Sequence, residues 1–350
     1  MIGNPFPLKQ NVKKSFIGSY VLGMGFVLTI GEAQALIAKD PRNKDVLFPY
    51  LNGEDLNGDP EQRPSRWVIN FFDWSEEKAR AYPDCFEIVE RLVKPERMTK
   101  NDQRGREKWW QFLRTRGELY ETISQLDQVM VLPRVSKYFM VSIVPKNIVY
   151  SEATVVLALK SFFDYAVLSS SIHEIWAWKN SSTMKGDALR YSASRAFETF
   201  PFPMTDSNSF EEMGFLLCEF RKTIIAKANI GLTETYNLFH NSKLEASHEL
   251  YTDILKLRKL HSDIDKIILA AYGWNDIQLM HNFYEIEHLP ENDRIRFSID
   301  TNARREILKR LFVLNNERHS IEVSAEITTA GKTIYKLSES INLFSDPLDS

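Results

Sequence analysis

A chain of 350 residues is too long for one ordinary hydrophobic core, and two domains are expected. With 43% hydrophobic, 26% charged and 12% aromatic residues, the composition excludes a disordered chain and predicts a well-packed one. The formal net charge of -3 excludes a globally basic nucleic-acid binder, so any such role has to rest on local patches. Cys85 and Cys218 lie far apart in sequence, make no metal motif, and fit a reducing cytoplasm. Residues 1–7 (MIGNPFP) lack the charged-then-apolar pattern of an export signal, and no apolar run is long enough to span a bilayer.

In chain order, residues 19–29 are β-branched and aromatic with glycines, which predicts a strand or hairpin. GEAQALIAK (31–39) predicts a short helix stopped by Asp40-Pro41. RWVINFF (66–72) reads as a buried strand, and 75–93 as a helix broken at Pro83. Short strands are expected at 129–133, 140–144 and 154–158, and a helix at 164–179 ending in an aromatic face of Trp176 and Trp178. Phe200-Pro201-Phe202-Pro203 cannot continue a helix and marks an extended connection. Beyond it the pattern is helical. In 249–271, Leu250, Ile254, Leu257, Ile264, Ile267 and Ile268 recur at three- and four-residue steps, with Gly273 placed to cap the end. Residues 304–314 predict another amphipathic helix, and from about Ser320 the chain turns polar, which predicts a loose tail or marginal hairpin. The expected fold class is α+β, a mixed-sheet domain followed by a mainly helical one.

Two regions could carry chemistry. Residues 94–116 hold eight basic residues against Glu96, Asp102 and Glu107, with Trp109 and Trp110 inside the run. Clustered Lys and Arg neutralise phosphates, which makes Lys94, Arg97, Lys100, Arg104, Arg106 and Lys108 candidate phosphate contacts; a solvated helix face is the competing reading. WAWKNSSTMKGDALRYSASRAFETF (176–200) mixes Lys179, Lys185, Asp187, Arg190, Tyr191 and Ser192 with aromatics, and planar or bidentate groups of this kind can read base edges. A polar loop at a helix end would look similar.

Catalytic signatures are missing. Asn4-Pro5-Phe6 lacks the second proline of an amino-methyltransferase motif, and no Walker loop, His-Glu-x-x-His, Gly-x-Ser-x-Gly or convincing nuclease pattern is present. Gly23 and Gly25 read as a glycine-relieved turn rather than a nucleotide loop, because no helix opens directly on them. His240, His248 and His261 are not spaced as metal ligands on a helix. No catalytic or metal residue is expected.

Several blocks resemble one family. LIAKDPRNKDVLFPYLNGEDLN (36–57), SRWVINFFDW (65–74), YPDCFEIVERLVKPER (82–97), REKWWQF (106–112) and RYSASRAFETFPFP (190–203) are similar to the MmeI-like single-chain type II restriction–modification enzymes and their DNA adenine methyltransferase relatives. NIGLTETYNLFH (229–240), KLRKLHSDIDKIILAAYGW (256–274) and REILKRLFVLNNER (305–318) resemble the helical C-terminal region of that family. The resemblance implies a DNA target-recognition domain over 13–203, a helical domain over 204–320, a residual linker at 1–12 and a polar tail at 321–350. It implies that double-stranded DNA and a methyltransferase domain or subunit, with or without a nuclease, are the partners. The S-adenosylmethionine loop and the Asn-Pro-Pro-Tyr-type motif would then precede this chain, and S-adenosylmethionine would bind there. Base-contacting residues of the family correspond to Gly186 and Ala188, which have no polar side chain, so Lys185 and Asp187 are alternatives with a one-residue shift. Arg134, Ser136 and Lys137 are a further candidate contact loop. The alternative is an interaction module that binds the methyltransferase core without reading DNA.

Overall fold

The computed structural model describes the backbone of residues 3–342 except 185, 187, 206 and 207, and their side chains apart from 208–209 and 326–342. The first half interleaves short strands and helices. In order these are β1 (Ser15–Ile17), β2 (Val27–Leu28), α1 (Ile30–Lys39), β3 (Leu47–Leu51), α2 (Gly53–Gly58), β4 (Arg66–Ile69), α3 (Glu76–Arg80), α4 (Pro83–Leu92), α5 (Lys94–Met98), α6 (Gln103–Glu107) and α7 (Gly117–Ile123). Then come β5 (Gln128–Pro133), β6 (Val135–Ser136), β7 (Ser142–Pro145), β8 (Val149–Tyr150), β9 (Thr154–Leu157), α8 (Phe162–Ser169), α9 (Ser171–Asn180), β10 (Ser182–Met184) and β11 (Ala188–Arg190). The remainder is α10 (Asn208–Ala228), α11 (Leu232–Phe239), α12 (Tyr251–Ala271), β12 (Asn282–Glu285), β13 (Ile295–Ser298) and α13 (Thr301–Asn342). This is the expected α+β class, with strands concentrated in the first half and long helices in the second.

Four sheets result, in the orders β1-β9-β5-β7, β2-β4-β3-β8, β10-β11-β6 and β12-β13. The first is antiparallel throughout and lies between two cores. Met130, Leu132, Val155 and Leu157 face the largest core, while Val129, Val131, Val144 and Val156 face a smaller one containing Leu119, Ile123 and Tyr150. Burial on both faces is why β5 reads as an unbroken apolar run instead of an alternation. A third core packs β2, β3 and β4 against α4 and against Trp109, Trp110 and Phe112.

Local signals explain most boundaries. Thr29 and Glu32 form a reciprocal capping box that starts α1, and Asp40 ends it while capping the following 3-10 turn. Pro83 opens α4, so the helix expected over 75–93 is two helices with Ser75 capping the first. The helix expected over 164–179 is likewise two. Ser170 is extended and its hydroxyl accepts the His173 N–H, restarting the chain as α9. Trp176 and Trp178 do not share an aromatic face: Trp176 is fully buried and Trp178 packs at a tilt against His288.

Residues 19–29 are not a hairpin. Ser19 and Tyr20 make single bridges to Ser151 and Arg114, and a 3-10 turn at Met24–Phe26 precedes β2. Gly23 has φ +131°, and a side chain on Gly25 would run into Leu92 of α4, so these glycines serve a turn and a close approach. Gly214 has the same use, since a Cβ there would overlap the Phe162 carbonyl where α10 crosses α8.

Two further expectations need correction. Residues 320–342 are helical, a continuation of α13, because Ser320 and Ser324 turn their hydroxyls back to carbonyls four residues earlier instead of breaking the helix. Within the expected linker at 1–12, the described residues are packed into the fold: Leu8 is fully buried, and Asn11 donates to the carbonyls of Phe197, Glu198 and Phe200. Residues 201–205 form neither helix nor strand, and the largest core spans that connection and joins Met130 to Phe312.

Burial keeps the imidazole of His173 down at about 3 and that of His261 at about 4, and holds His240 well below its usual range. An unfolded chain protonates these rings below about pH 6.5, whereas the native one resists. Their contribution is therefore complete above pH 6.5 and lost as pH falls. We expect urea unfolding to show a loss of about 1 kcal/mol per histidine for each pH unit below that point. Equal stability at pH 7.5 and 5.5 would contradict the neutral assignment.

Candidate nucleic-acid interface

Five arginines from three stretches of the chain converge on one open cleft of about 630 Å³: Arg104, Arg114, Arg116, Arg134 and Arg190, beside Ser182 and Ser192. Arg134 and Arg190 also edge a second groove of about 770 Å³ that carries Glu54 and Glu152, so the pair forms a ridge between the two. Each arginine is placed by its backbone. The Arg134 N–H donates to the Ala153 carbonyl at 2.7 Å, and its carbonyl accepts the Tyr191 N–H at 2.9 Å. Arg190 sits in β11 opposite Val135 of β6. Arg114 and Tyr20 exchange both backbone hydrogen bonds at 3.1 Å. Arg116 adopts a left-handed conformation, φ 58°, at the start of α7, and its Nε donates to the Gly18 carbonyl. Arg104 stands on α6, which Asp102 caps.

Among the described residues none of these five forms an ion pair. Glu118, also in the cleft, is 3.3 Å from Lys13 instead. Burial, then the neighbouring Arg190 and Arg116, hold the Arg134 guanidinium below its usual range; burial and Arg114 do the same to Arg116. Glu198 lines the cleft as well, but five guanidinium groups outnumber the two carboxylates, and the excess positive charge favours a polyanion in the cleft.

The structure sorts the sequence candidates. Of the six expected phosphate contacts, Arg104 alone lines the cleft. Arg97 is 1% exposed, and donates to the carbonyls of Leu22 at 3.0 Å, Val21 at 2.9 Å and Gln111 at 3.3 Å. It cannot reach a phosphate; it is a clamp between three backbone segments. Lys94 is paired with Glu90 and lies over the Trp109 ring. Arg106 donates to the Lys100 carbonyl, while Lys100 and Lys108 are exposed away from the cleft. Trp109 and Trp110 are core residues, the latter bonded to the Trp74 carbonyl.

Among the expected base or loop contacts, Arg134, Arg190, Tyr191 and Ser192 line the cleft. Tyr191 is 3% exposed with its hydroxyl turned inward to His173, which removes it as a base contact. The Ser192 hydroxyl accepts the Arg195 N–H. Ser136 is buried in β6, and Lys137 is paired with Asp293 at 3.0 Å. Lys179 is exposed on α9 outside the cleft. Lys185 and Asp187 lie outside the described residues; Gly186 between them has φ +85°. Arg114 and Arg116 were visible only as part of the basic run, and Glu54 and Glu152 carried no sequence signal, because the groove is assembled from segments distant in the chain.

A family model described as MmeI, target recognition domain, matches residues 7–204. The chain belongs to this family. No curated protein matches it. Among solved structures it is similar to one described as the type IIL restriction–modification enzyme MmeI in complex with DNA, with 17% identity and a TM-score of 0.65. That likeness is one of fold. It covers 91% of this chain and 38% of the other, so the chain spans under two fifths of that enzyme's length. All five cleft arginines fall inside the span matched by the MmeI target-recognition model. Among the described residues, no group of His, Cys, Asp and Glu could hold a metal ion, and no helix is long and apolar enough to cross a membrane.

The different surroundings of Arg97 and Arg104 give them opposite expected phenotypes. Arg97→Met strands three carbonyls and should cost about 3 kcal/mol or more in urea unfolding. Arg104→Ala, at an exposed position, should stay within about 0.5 kcal/mol of the parent. A mild effect at Arg97 would show that the clamp is dispensable.

Proposed function

We propose that this chain recognises duplex DNA sequence-specifically on behalf of an S-adenosylmethionine-dependent adenine-N6 methyltransferase of a restriction–modification system. The observation that carries the reading is the cleft of five unpaired arginines inside a target-recognition domain. The DNA bound by the MmeI enzyme of similar fold supports it. Arg104, Arg114 and Arg116 take the phosphates, which fix register without carrying sequence information. The Arg134–Arg190 ridge and the turn between β10 and β11, with Lys185 and Asp187, take base edges; a guanidinium reads guanine O6 and N7 in a bidentate way. Methyl transfer belongs to a separate domain or subunit, which holds S-adenosylmethionine and flips the adenine out of the stack to reach its amino group. The reaction takes place in the cytoplasm.

Anisotropy titrations of labelled duplexes against salt test this. Binding should weaken steeply with salt, and Arg104→Ala, Arg114→Ala and Arg116→Ala should each flatten the log–log slope by about 0.9 for all sequences. Arg134→Ala and Arg190→Ala should instead change which sequence is preferred. Absence of salt-dependent duplex binding by the parent chain would end the proposal.

A further inference from the structure

Beneath the arginine ridge lies a buried polar pair that phosphate or base contact does not use. His173 is fully buried and Tyr191 is 3% exposed, and His173 Nε2 is 3.0 Å from the Tyr191 hydroxyl. Among the described residues the other imidazole nitrogen has no hydrogen-bond partner. Phe139 and Phe200 enclose the imidazole, with ring centroids at 5.2 and 4.4 Å. An apolar pair of the same shape would fill this space at little cost to stability, so a lone hydrogen bond here calls for another use.

Its place in the fold supplies one. Tyr191 directly follows Arg190, the last residue of β11, and is buried where Arg190 is exposed, so the phenol goes inward as the guanidinium faces the cleft. The Tyr191 N–H binds the Arg134 carbonyl at 2.9 Å. One residue thus holds both ridge arginines: one through its N–H, the other through the peptide bond. The hydroxyl end reaches a helix that is itself fixed. The N–H of Ser171, at the start of α9, donates to Asp265 of α12 at 2.7 Å, and Asp265 also binds His281 at 2.8 Å.

We propose that the His173–Tyr191 hydrogen bond is a positioning device that sets the register of Arg134 and Arg190 against the bases, an inference that rests on the DNA-reading function above. Neither residue touches DNA. A contact of two arginines with base edges tolerates only fractions of an ångström, and the bond couples the strand carrying one of them to the α9–α12 framework.

The test uses the full chain and a pool of randomised duplexes, from which the preferred sequence is selected. The quantity read is the affinity ratio between the selected duplex and a shuffled one, with melting temperature measured in parallel. Tyr191→Phe should lower the ratio about tenfold, the loss expected when one bidentate base contact is weakened. His173→Gln, which keeps a hydrogen-bonding group near the Nε2 position, should restore most of the ratio relative to His173→Leu. The double variant His173→Leu, Tyr191→Phe removes both polar groups; it should regain the melting temperature lost by His173→Leu yet keep the low ratio. If the ratio returns with the melting temperature, or Tyr191→Phe leaves it unchanged, the pair is only structural and the inference is overturned. If the parent selects no sequence and binds no duplex in a salt-dependent way, the DNA-reading function itself fails and this inference falls with it.

Discussion

The structure is organised around a repulsion. Five guanidinium groups share one cleft without a carboxylate partner among the described residues. Left to side-chain preferences, they would separate into solvent. They are kept together by main-chain hydrogen bonds, from Arg134 to Ala153 and Tyr191 and from Arg114 to Tyr20, with a side-chain bond from Arg116 to the Gly18 carbonyl. The unfavourable field is offset by burial elsewhere, since hydrophobic cores are the part of the molecule with free energy to spare for strain of this kind. A polyanion in the cleft reverses the sign of the interaction, so binding and stability are linked.

That role for the cores explains why the connection at Pro203 divides no hydrophobic interior. The helices after it complete the core beneath β5, β9 and α9. Asn315 of α13 makes the joint explicit. It is fully buried, donates to the carbonyls of Phe6 at 2.8 Å and Thr199 at 2.7 Å, and accepts the Phe6 N–H at 2.9 Å. From the other side Asn11 grips the carbonyls of 197, 198 and 200. The segment after Ser192 is therefore held from the chain's beginning and from its last helix. The helical part is a brace for the recognition strands more than a separate body.

Elements governed by short-range rules were legible in the sequence. α1 before its Asp40-Pro41 stop and α12 with its apolar stripe are where the sequence pattern puts them. β5 was also legible, since a run of consecutive β-branched and apolar residues has few alternatives to a strand buried on both faces. The break at Ser170 was not, because Ser in a helix pattern is ambiguous until its hydroxyl is seen capping His173. The basic run misled in a specific way. Charge counted along the chain does not say which side chains turn inward, and Arg97 turned into a site of three unpaired carbonyls. The cleft itself joins residues 104, 114 and 116 of that run to residues 134 and 190, and nothing local in any of the three segments announces the other two.

The partial burial of Arg116 and Arg134 bears on the choice of cation in the cleft. Every basic residue lining it is arginine, whereas Lys94 and Lys137, half-buried outside it, are each paired with a carboxylate. Partial burial and neighbouring positive charge both push a basic group toward its neutral form, as the direction of the shifts at Arg116 and Arg134 shows. A lysine begins about two pH units or more closer to neutrality and would be the first to lose its proton there. Guanidinium starts far enough above neutral pH to keep its charge. It is also weakly hydrated, so it gives up less water on entering a confined site, and its planar fork matches both a phosphate and a guanine edge. A cleft that binds a polyanion with directional hydrogen bonds is served better by arginine than by lysine.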